Sequence, residues 1–162
     1  RSSTEADQNN TAAHYSIRGA RAADIDAVTG IDASITNLSK PDYWADMFAR
    51  YGDRENRFFL IAEDENANLI GFIIGEVRTW EFGSQPSGWV FAIGVDPATR
   101  LNKVGTTLFG AICDCLTKAG VDTVRTMLAR DDELNMTFFR SQGMMGGPFI
   151  QLEMPLGDGG GT

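Results

Sequence analysis

The sequence predicts one α/β (α+β) domain, a mixed sheet flanked by helices with one parallel crossover. Three observations carry that expectation. At 162 residues the chain has the size of a single domain that buries about two thirds of its unfolded surface. Its apolar periodicity switches repeatedly between strand and helix types. Finally, Trp89-Val90-Phe91-Ala92-Ile93-Gly94-Val95 is apolar on both faces, as a central strand covered from both sides must be.

Tyr15-Ser16-Ile17 reads as a short first strand. A helix follows, opened by Ala23 or Asp24, with Ile25, Val28 and Ile31 three apart. Pro41 suits the first turn of a second helix, where its missing N–H costs nothing. Tyr43, Trp44, Met47, Phe48 and Tyr51 form the apolar face of that helix, and Gly52 stops it. Arg57 to Ala62 and Leu69 to Trp80 make a hairpin across the polar turn Glu63 to Asn68. Phe82 to Gly88 is a loop leading to the central strand. Val104, Leu108, Ile112, Cys115 and Ala119 then mark a helix ended by Gly120. Val121 to Leu128 is a strand. Asp131 caps a helix bearing Leu134, Phe138 and Ser141, which Gly143 ends, and Phe149 to Met154 is a last strand. Residues 1–13 and 157–162 are expected to be tails, because Ser, Thr, Asn, Gln and glycine bury too little apolar surface to offset ordering entropy. The folded domain is thus expected over residues 14–156.

Composition excludes several classes. Fourteen basic against 22 acidic residues give a net charge of −8, which argues against a nucleic-acid or anionic-membrane binder. No apolar run approaches the roughly 20 residues of a membrane helix, and Arg1 to Ala13 lacks the apolar stretch of a secretory signal. Cys113 and Cys115 point in different directions on a helix, and with His14 as the one histidine they make a poor metal site. Free thiols fit a reducing, cytoplasmic setting.

Chemistry concentrates in Val95-Asp96-Pro97-Ala98-Thr99-Arg100-Leu101-Asn102-Lys103-Val104-Gly105-Thr106. A buried strand leaves through a proline turn into a helix with glycine in its first turn. That layout presents unpaired N–H groups and the positive helix end to an anion. Gly105 costs about 1 kcal/mol of helix propensity relative to alanine, but it lets a phosphate meet backbone without a Cβ. From Pro97 to Cys113 there is no acid, while Arg100 and Lys103 are present. A plain crossover helix with two solvated cations would share these features. Neither the phosphate-loop pattern nor the dinucleotide fingerprint occurs here.

Val95-x-Pro97-x-x-Arg100-x-x-Lys103-x-Gly105 resembles the acyl-CoA pyrophosphate motif of the GNAT superfamily of N-acetyltransferases. Ile17-Arg18-x-Ala20 with Asp24, Leu69-Ile70-Gly71-Phe72 and Phe138-Phe139-Arg140-Ser141-Gln142-Gly143-Met144 extend the likeness over roughly residues 14–156. The resemblance implies a GNAT-like, mostly antiparallel mixed sheet whose parallel crossover forms an acyl-CoA cleft. It also implies acetyl-CoA as cofactor and an amine acceptor as substrate, with no metal. Backbone groups of Ile93, Gly94 and Val95 would run beside the pantetheine arm. Amides of Leu101, Asn102, Lys103, Val104, Gly105 and Thr106, with Arg100, would hold the pyrophosphate. Asp132, Asn135 and Phe138 would approach the cofactor from the last helix. Lys103 replaces the family's first glycine, and Asp132 replaces an asparagine. Relatives are commonly dimers, which leaves a homodimer open.

Many relatives carry a glutamate on the strand before the proline turn and a tyrosine in the last helix. Here Trp89 to Val95 holds no acid, and Phe139 occupies the tyrosine position. Glu76 and Glu81 are the candidate catalytic carboxylates; surface residues of a long strand would look the same. Tyr43, Trp44, Phe48 and Tyr51 form either core or an acceptor wall. Trp80, Phe82 and Trp89 suit an acceptor pocket or a dimer contact. Two functions follow: an N-acetyltransferase acting by direct attack in a ternary complex, or a CoA-binding sensor or partner-binding module that has lost catalysis.

Overall fold

The computed structural model describes residues 14–79 and 81–157, and the side chains of residues 100–102 fall outside that description. The N-terminal stretch 1–13, Trp80 and residues 158–162 likewise lie outside it. The chain forms two compact units, Arg1–Met127 and Leu128–Thr162.

In the first unit β1 (Tyr15–Gly19) leads through a 3-10 turn, Ala22–Asp24, into α1 (Ile25–Thr36) and α2 (Pro41–Tyr51). The hairpin strands are β2 (Arg57–Asp64) and β3 (Leu69–Arg78), and β4 (Ser87–Val95) follows a further short turn. A 3-10 segment, Pro97–Asn102, precedes α3 (Val104–Lys118), and β5 (Val124–Arg125) closes the unit. The sheet order is β1-β2-β3-β4-β5, antiparallel except for the parallel pair β4–β5. This is the mixed, mostly antiparallel sheet with one crossover that the sequence predicts.

One face of the sheet packs on α1 and α2. Val28 and Ile31 meet Trp44 and Met47 over Phe59, Ile61, Phe72 and Ile74. Trp44 is core: its ring stands edge-on to Phe72 at 5.0 Å, and its indole N–H donates to Asp32 at 3.1 Å. Tyr43 is exposed, while Phe48 and Tyr51 are half-buried against the same cluster.

The opposite face carries α3, whose Val104, Leu108, Ile112 and Leu116 are buried. Glycine makes that seat close. A Cβ on Gly75 would lie 2.8 Å from Ile112, and one on Gly88 would lie 2.5 Å from Leu116. Under the first half of the helix, a Cβ on Gly71 would lie 3.0 Å from Leu108 and 3.1 Å from Val104.

Several boundaries differ from expectation. Asp24 ends the 3-10 turn and α1 begins at Ile25. The third strand ends at Arg78; its expected last residue, Trp80, lies outside the described residues. The strand expected over Val121 to Leu128 shortens to Val124–Arg125, because strand length is set by pairing and only two residues pair with β4. In the second unit, α4 (Glu133–Ser141) is capped by Asp132 rather than Asp131. Phe149 to Met154 forms no strand; Ile150, Leu152 and Met154 are exposed. Its alternation supplies an apolar face, but alternation alone assigns no strand, which needs a paired ladder.

An ion cluster pins β1 to the start of α1. The Arg18 guanidinium donates to both Asp24 carboxylate oxygens, at 2.7 and 2.8 Å, and pairs with Glu63 at 3.0 Å. The Arg21 N–H also donates to Asp24. The Arg18 bond, aided by Arg21 and opposed by burial, holds the Asp24 carboxyl below its ordinary value. A lowered carboxyl stabilises the fold above the unfolded pKa, about 3.9, and that contribution disappears as pH falls through the folded value. Asp24→Asn is expected to lower the unfolding free energy by about 3 kcal/mol at pH 7. Urea titrations should show that deficit shrinking below about pH 4; a pH-independent deficit would contradict the assignment.

Candidate functional site

The site is built around β4, which has a bulge in its middle. Ile74 pairs with Ala92 and Gly75 with Val90, so Phe91 is an extra residue on β4. A bulge reverses the alternation of faces beyond it. Before it, Val90 is buried on the α3 side and Trp89 lies on the α1–α2 side. Beyond it, Phe91 and Ala92 both pack toward the α1–α2 core. Gly94 has a packing reason, since a Cβ there would lie 2.6 Å from the Phe72 ring.

The parallel ladder is short. Gly88 and Trp89 of β4 register with Val124 and Arg125 of β5. The Gly88 N–H donates to Thr123 O at 2.8 Å, and the Thr126 hydroxyl donates to Val90 O at 2.7 Å. Beyond that point the described ladder ends while β4 continues to Val95. On the β3 side, the Asp96 N–H donates to Ile70 O at 2.8 Å, and Gly94 and Ala92 face Phe72 and Ile74. Strand alternation therefore turns the peptide groups of Ile93 and Val95 the other way, onto the edge that β5 has left.

That edge runs into the turn that precedes α3. Asp96 accepts the Ala98 N–H at 3.0 Å, fixing the start of the 3-10 segment. Arg100, Leu101 and Asn102 belong to that segment by backbone. Lys103 is in the left-handed region (φ 56°, ψ 30°), a conformation that explains why glycine suits the position. Within α3, Thr107 donates to Lys103 O at 3.1 Å. The N–H groups of Val104 and Gly105 precede the helical ladder and point out of its positive end. The Val104 side chain is fully buried, so it offers backbone only, whereas the side chains of Lys103 and Thr106 are exposed. Tyr15 OH shares a 2.8 Å hydrogen bond with Thr107 Oγ1, tying β1 to this first turn.

The two carboxylates occupy different settings. Glu76 is 15% exposed, receives the Arg78 Nε–H at 3.1 Å and faces Arg57 Nε at 4.0 Å. Glu81 lies in an exposed 3-10 turn beside Phe82, which is fully exposed at a φ of 48°. The Arg78 guanidinium stacks over Trp89, 4.6 Å from its ring centre. Register places Arg57, Glu76, Trp89 and Arg125 directly opposite one another across four strands. Sequence reasoning missed these arginines; the alternation of Glu76 and Arg78 on one strand was the available signal.

In α4, Asp132 and Asn135 spend their side chains on each other. The Asn135 N–H donates to Asp132 Oδ1 at 3.2 Å, and its Nδ2 donates to Oδ2 at 2.9 Å. Phe138 stands edge-on to Phe139 at 5.2 Å. Cys113 and Cys115 are free, and burial pushes both thiols up. Among the described residues no cluster of three His, Cys, Asp or Glu side chains is placed to hold a metal. No helix there is long and apolar enough to cross a membrane.

Residues 26–144 match the profile of the Acetyltransferase (GNAT) family. Over 85 residues the chain is 28% identical to the mycothiol acetyltransferase of Renibacterium salmoninarum, covering 52% of this chain and 25% of that protein. The chain thus spans about a quarter of the length of the curated relative it matches. Among solved structures, the aminoglycoside 6'-N-acetyltransferase AAC(6')-Ih from Acinetobacter baumannii superposes with a TM-score of 0.74 at 14% identity, covering 88% of this chain and 99% of the other. AAC(6')-Iy in complex with CoA gives a TM-score of 0.76 at 16% identity over 88% and 95%. At these identities the likeness establishes the fold.

Lys103→Gly should relieve the left-handed strain and raise the unfolding free energy by about 1 kcal/mol. Chemical denaturation measures it; a loss of stability would contradict the backbone assignment.

Proposed function

Because the chain belongs to the acetyltransferase (GNAT) family, whose cofactor is acetyl-CoA, we propose that it moves an acetyl group from acetyl-CoA to a primary amine, of a small molecule or a peptide, by direct attack in a ternary complex. The observation that carries this reading is the continuity between the free edge of β4 and the positive end of α3. A thioester cofactor needs both an extended groove for its arm and a donor-rich end for its diphosphate.

The residues present fit that molecule. Peptide groups of Ile93 and Val95 are positioned like those of a strand awaiting a partner, so the pantetheine amides would pair there. Backbone N–H groups from Leu101 to Thr106, together with the charges of Arg100 and Lys103, would hold the pyrophosphate. Asp132, Asn135 and Phe138 keep a cofactor role on family resemblance alone. The cofactor supplies the activated acetyl group. The chain's part is to orient the thioester along β4, polarise its carbonyl with strand N–H groups near the bulge, and exclude water.

Proton removal has less provision. Both Glu76 oxygens face arginines, and Glu81 is exposed. Neutralising a lysine-like amine of pKa ~10.4 at pH 7 costs about 4.6 kcal/mol, against about 1 kcal/mol for an α-amino group near 7.8. The acceptor this site suits is an amine of low pKa. Expelling the thiol as thiolate at a pKa of ~8.5 forfeits only about 2 kcal/mol, so the absence of the family's tyrosine is tolerable.

The second reading, a CoA-binding module without catalysis, is favoured by Phe139 at the tyrosine position and by the engagement of Glu76. A thiol-release assay with acetyl-CoA and a panel of peptide and small-molecule amines separates the two. Turnover rising with pH through the amine pKa is expected; cofactor binding with no turnover for any amine selects the sensor. Gly105→Val should weaken CoA binding about tenfold or more, as a Cβ intrudes on the phosphate, while the urea midpoint moves little. Unchanged CoA affinity in that variant would overturn the cradle.

A further inference from the structure

On the sheet face that carries α1 and α2, guanidinium groups gather where the β4–β5 ladder ends. Arg57, Glu76, Trp89 and Arg125 are successive cross-strand partners from β2 to β5, so their side chains share this face. Arg78, two residues along β3 from Glu76, lies over Trp89. This is a concentration of positive charge on a chain of net −8. It is also built. Arg78 is held at Nε by Glu76 and beneath by the Trp89 ring. Arg57 is held by its Nη1 donating to Arg50 O at 3.0 Å and by the Tyr51 ring 5.4 Å away. Arg125 donates to the hydroxyls of Ser84 and Ser87. Asp46, on the neighbouring helix, is taken up by Arg50 at 2.8 Å.

What these contacts leave over is informative. Among the described residues, Nη1 and Nη2 of Arg78 and Nη2 of Arg57 donate to no protein acceptor. The Arg78 side chain is 35% exposed and that of Arg57 48%. A guanidinium whose Nε and ring face are fixed while its two terminal nitrogens remain open is a preorganised fork for a carboxylate. Trp89 lies two residues from the Phe91 bulge, about 7 Å of strand. An acceptor seated here would place its anion on Arg78 and its amine near the bulge.

We propose that Arg78, supported by Glu76 and Trp89 and flanked by Arg57, is an acceptor subsite for a carboxylate, so that the preferred substrate is a peptide-like amine bearing an acidic group one to three peptide units away. This rests on the transferase reading above, and it names the acceptor class that reading leaves open. Polycationic amines are disfavoured by the same charges.

The test compares two C-terminally amidated peptides, Ala-Asp-Gly and Ala-Asn-Gly, with spermine as the polycation, using the full chain and acetyl-CoA. The acidic peptide should show a kcat/KM about 10- to 100-fold above its asparagine twin, and spermine should be poorest. Arg78→Met should bring the ratio of the two peptides close to one without altering CoA affinity. Arg78→Lys, which keeps charge but loses the fork, should fall between, and it replaces the methionine variant if that one fails to fold. Equal kcat/KM for the two peptides in the native chain, or a ratio unchanged by either variant, overturns the subsite. If no amine is acetylated the transferase reading fails, and the subsite is judged by calorimetry on the CoA-saturated chain. Acidic-peptide binding at least tenfold tighter than that of the twin, and lost in the variant, sustains the subsite; equal binding rejects it.

Discussion

A β-strand has two edges, and β4 satisfies them unequally. On the β3 side its ladder continues to Val95; on the β5 side it stops at Trp89. The rest of the site depends on this asymmetry. Had β5 stayed in register, the peptide groups of Ile93 and Val95 would be consumed within the sheet. An extended ligand could then reach the start of α3 only by displacing a strand. The Phe91 bulge sits close to the point of divergence, where an extra residue increases local twist and helps part the two strands.

The placement of α3 follows from packing rather than from polar contacts. Four buried side chains key the helix onto β3 and β4 over glycines that leave no room for a Cβ. Its first turn is thereby set beside the end of β4, with Tyr15 and Thr107 adding a polar tie to β1. Charge is managed separately. Arg18 is shared by Asp24 and Glu63 near the start of α1, whereas the row through Arg57 and Arg78 retains open donors. A burial argument explains the first cluster; the second is the proposed acceptor subsite.

Local pattern was enough for α2 and α3, whose apolar spacing and stop residues lie within one segment, and for β4 from Trp89 on; Ser87 and Gly88, expected in the preceding loop, open that strand because they pair with Arg78 and Val77. The same holds for the turn from Asp96 to Gly105, where proline, cations and glycine are contiguous. Legibility failed where structure is decided by partners distant in sequence. Residues 89–95 are apolar throughout, so alternation held no trace of the Phe91 bulge or of the reversal of faces beyond it. The shortness of β5 is a property of divergence from β4, not of Val121 to Leu128. Lys103 gave no hint of its left-handed backbone except by standing in place of a glycine. Arg57, Glu76, Trp89 and Arg125 are spread over nearly 70 residues of sequence, and only sheet register aligns them.

The exposed apolar side chains near the C-terminus bear on how copies of the molecule treat one another. Ile150, Leu152, Met154 and Leu156 present a row of large side chains that are 74–89% exposed, which water gains by shedding. Eight surplus negative charges oppose such encounters, but that repulsion is screened beyond about 8 Å at physiological ionic strength. Colloidal behaviour is therefore a contest between oily stickiness and like-charge repulsion, and added electrolyte tilts it toward clustering.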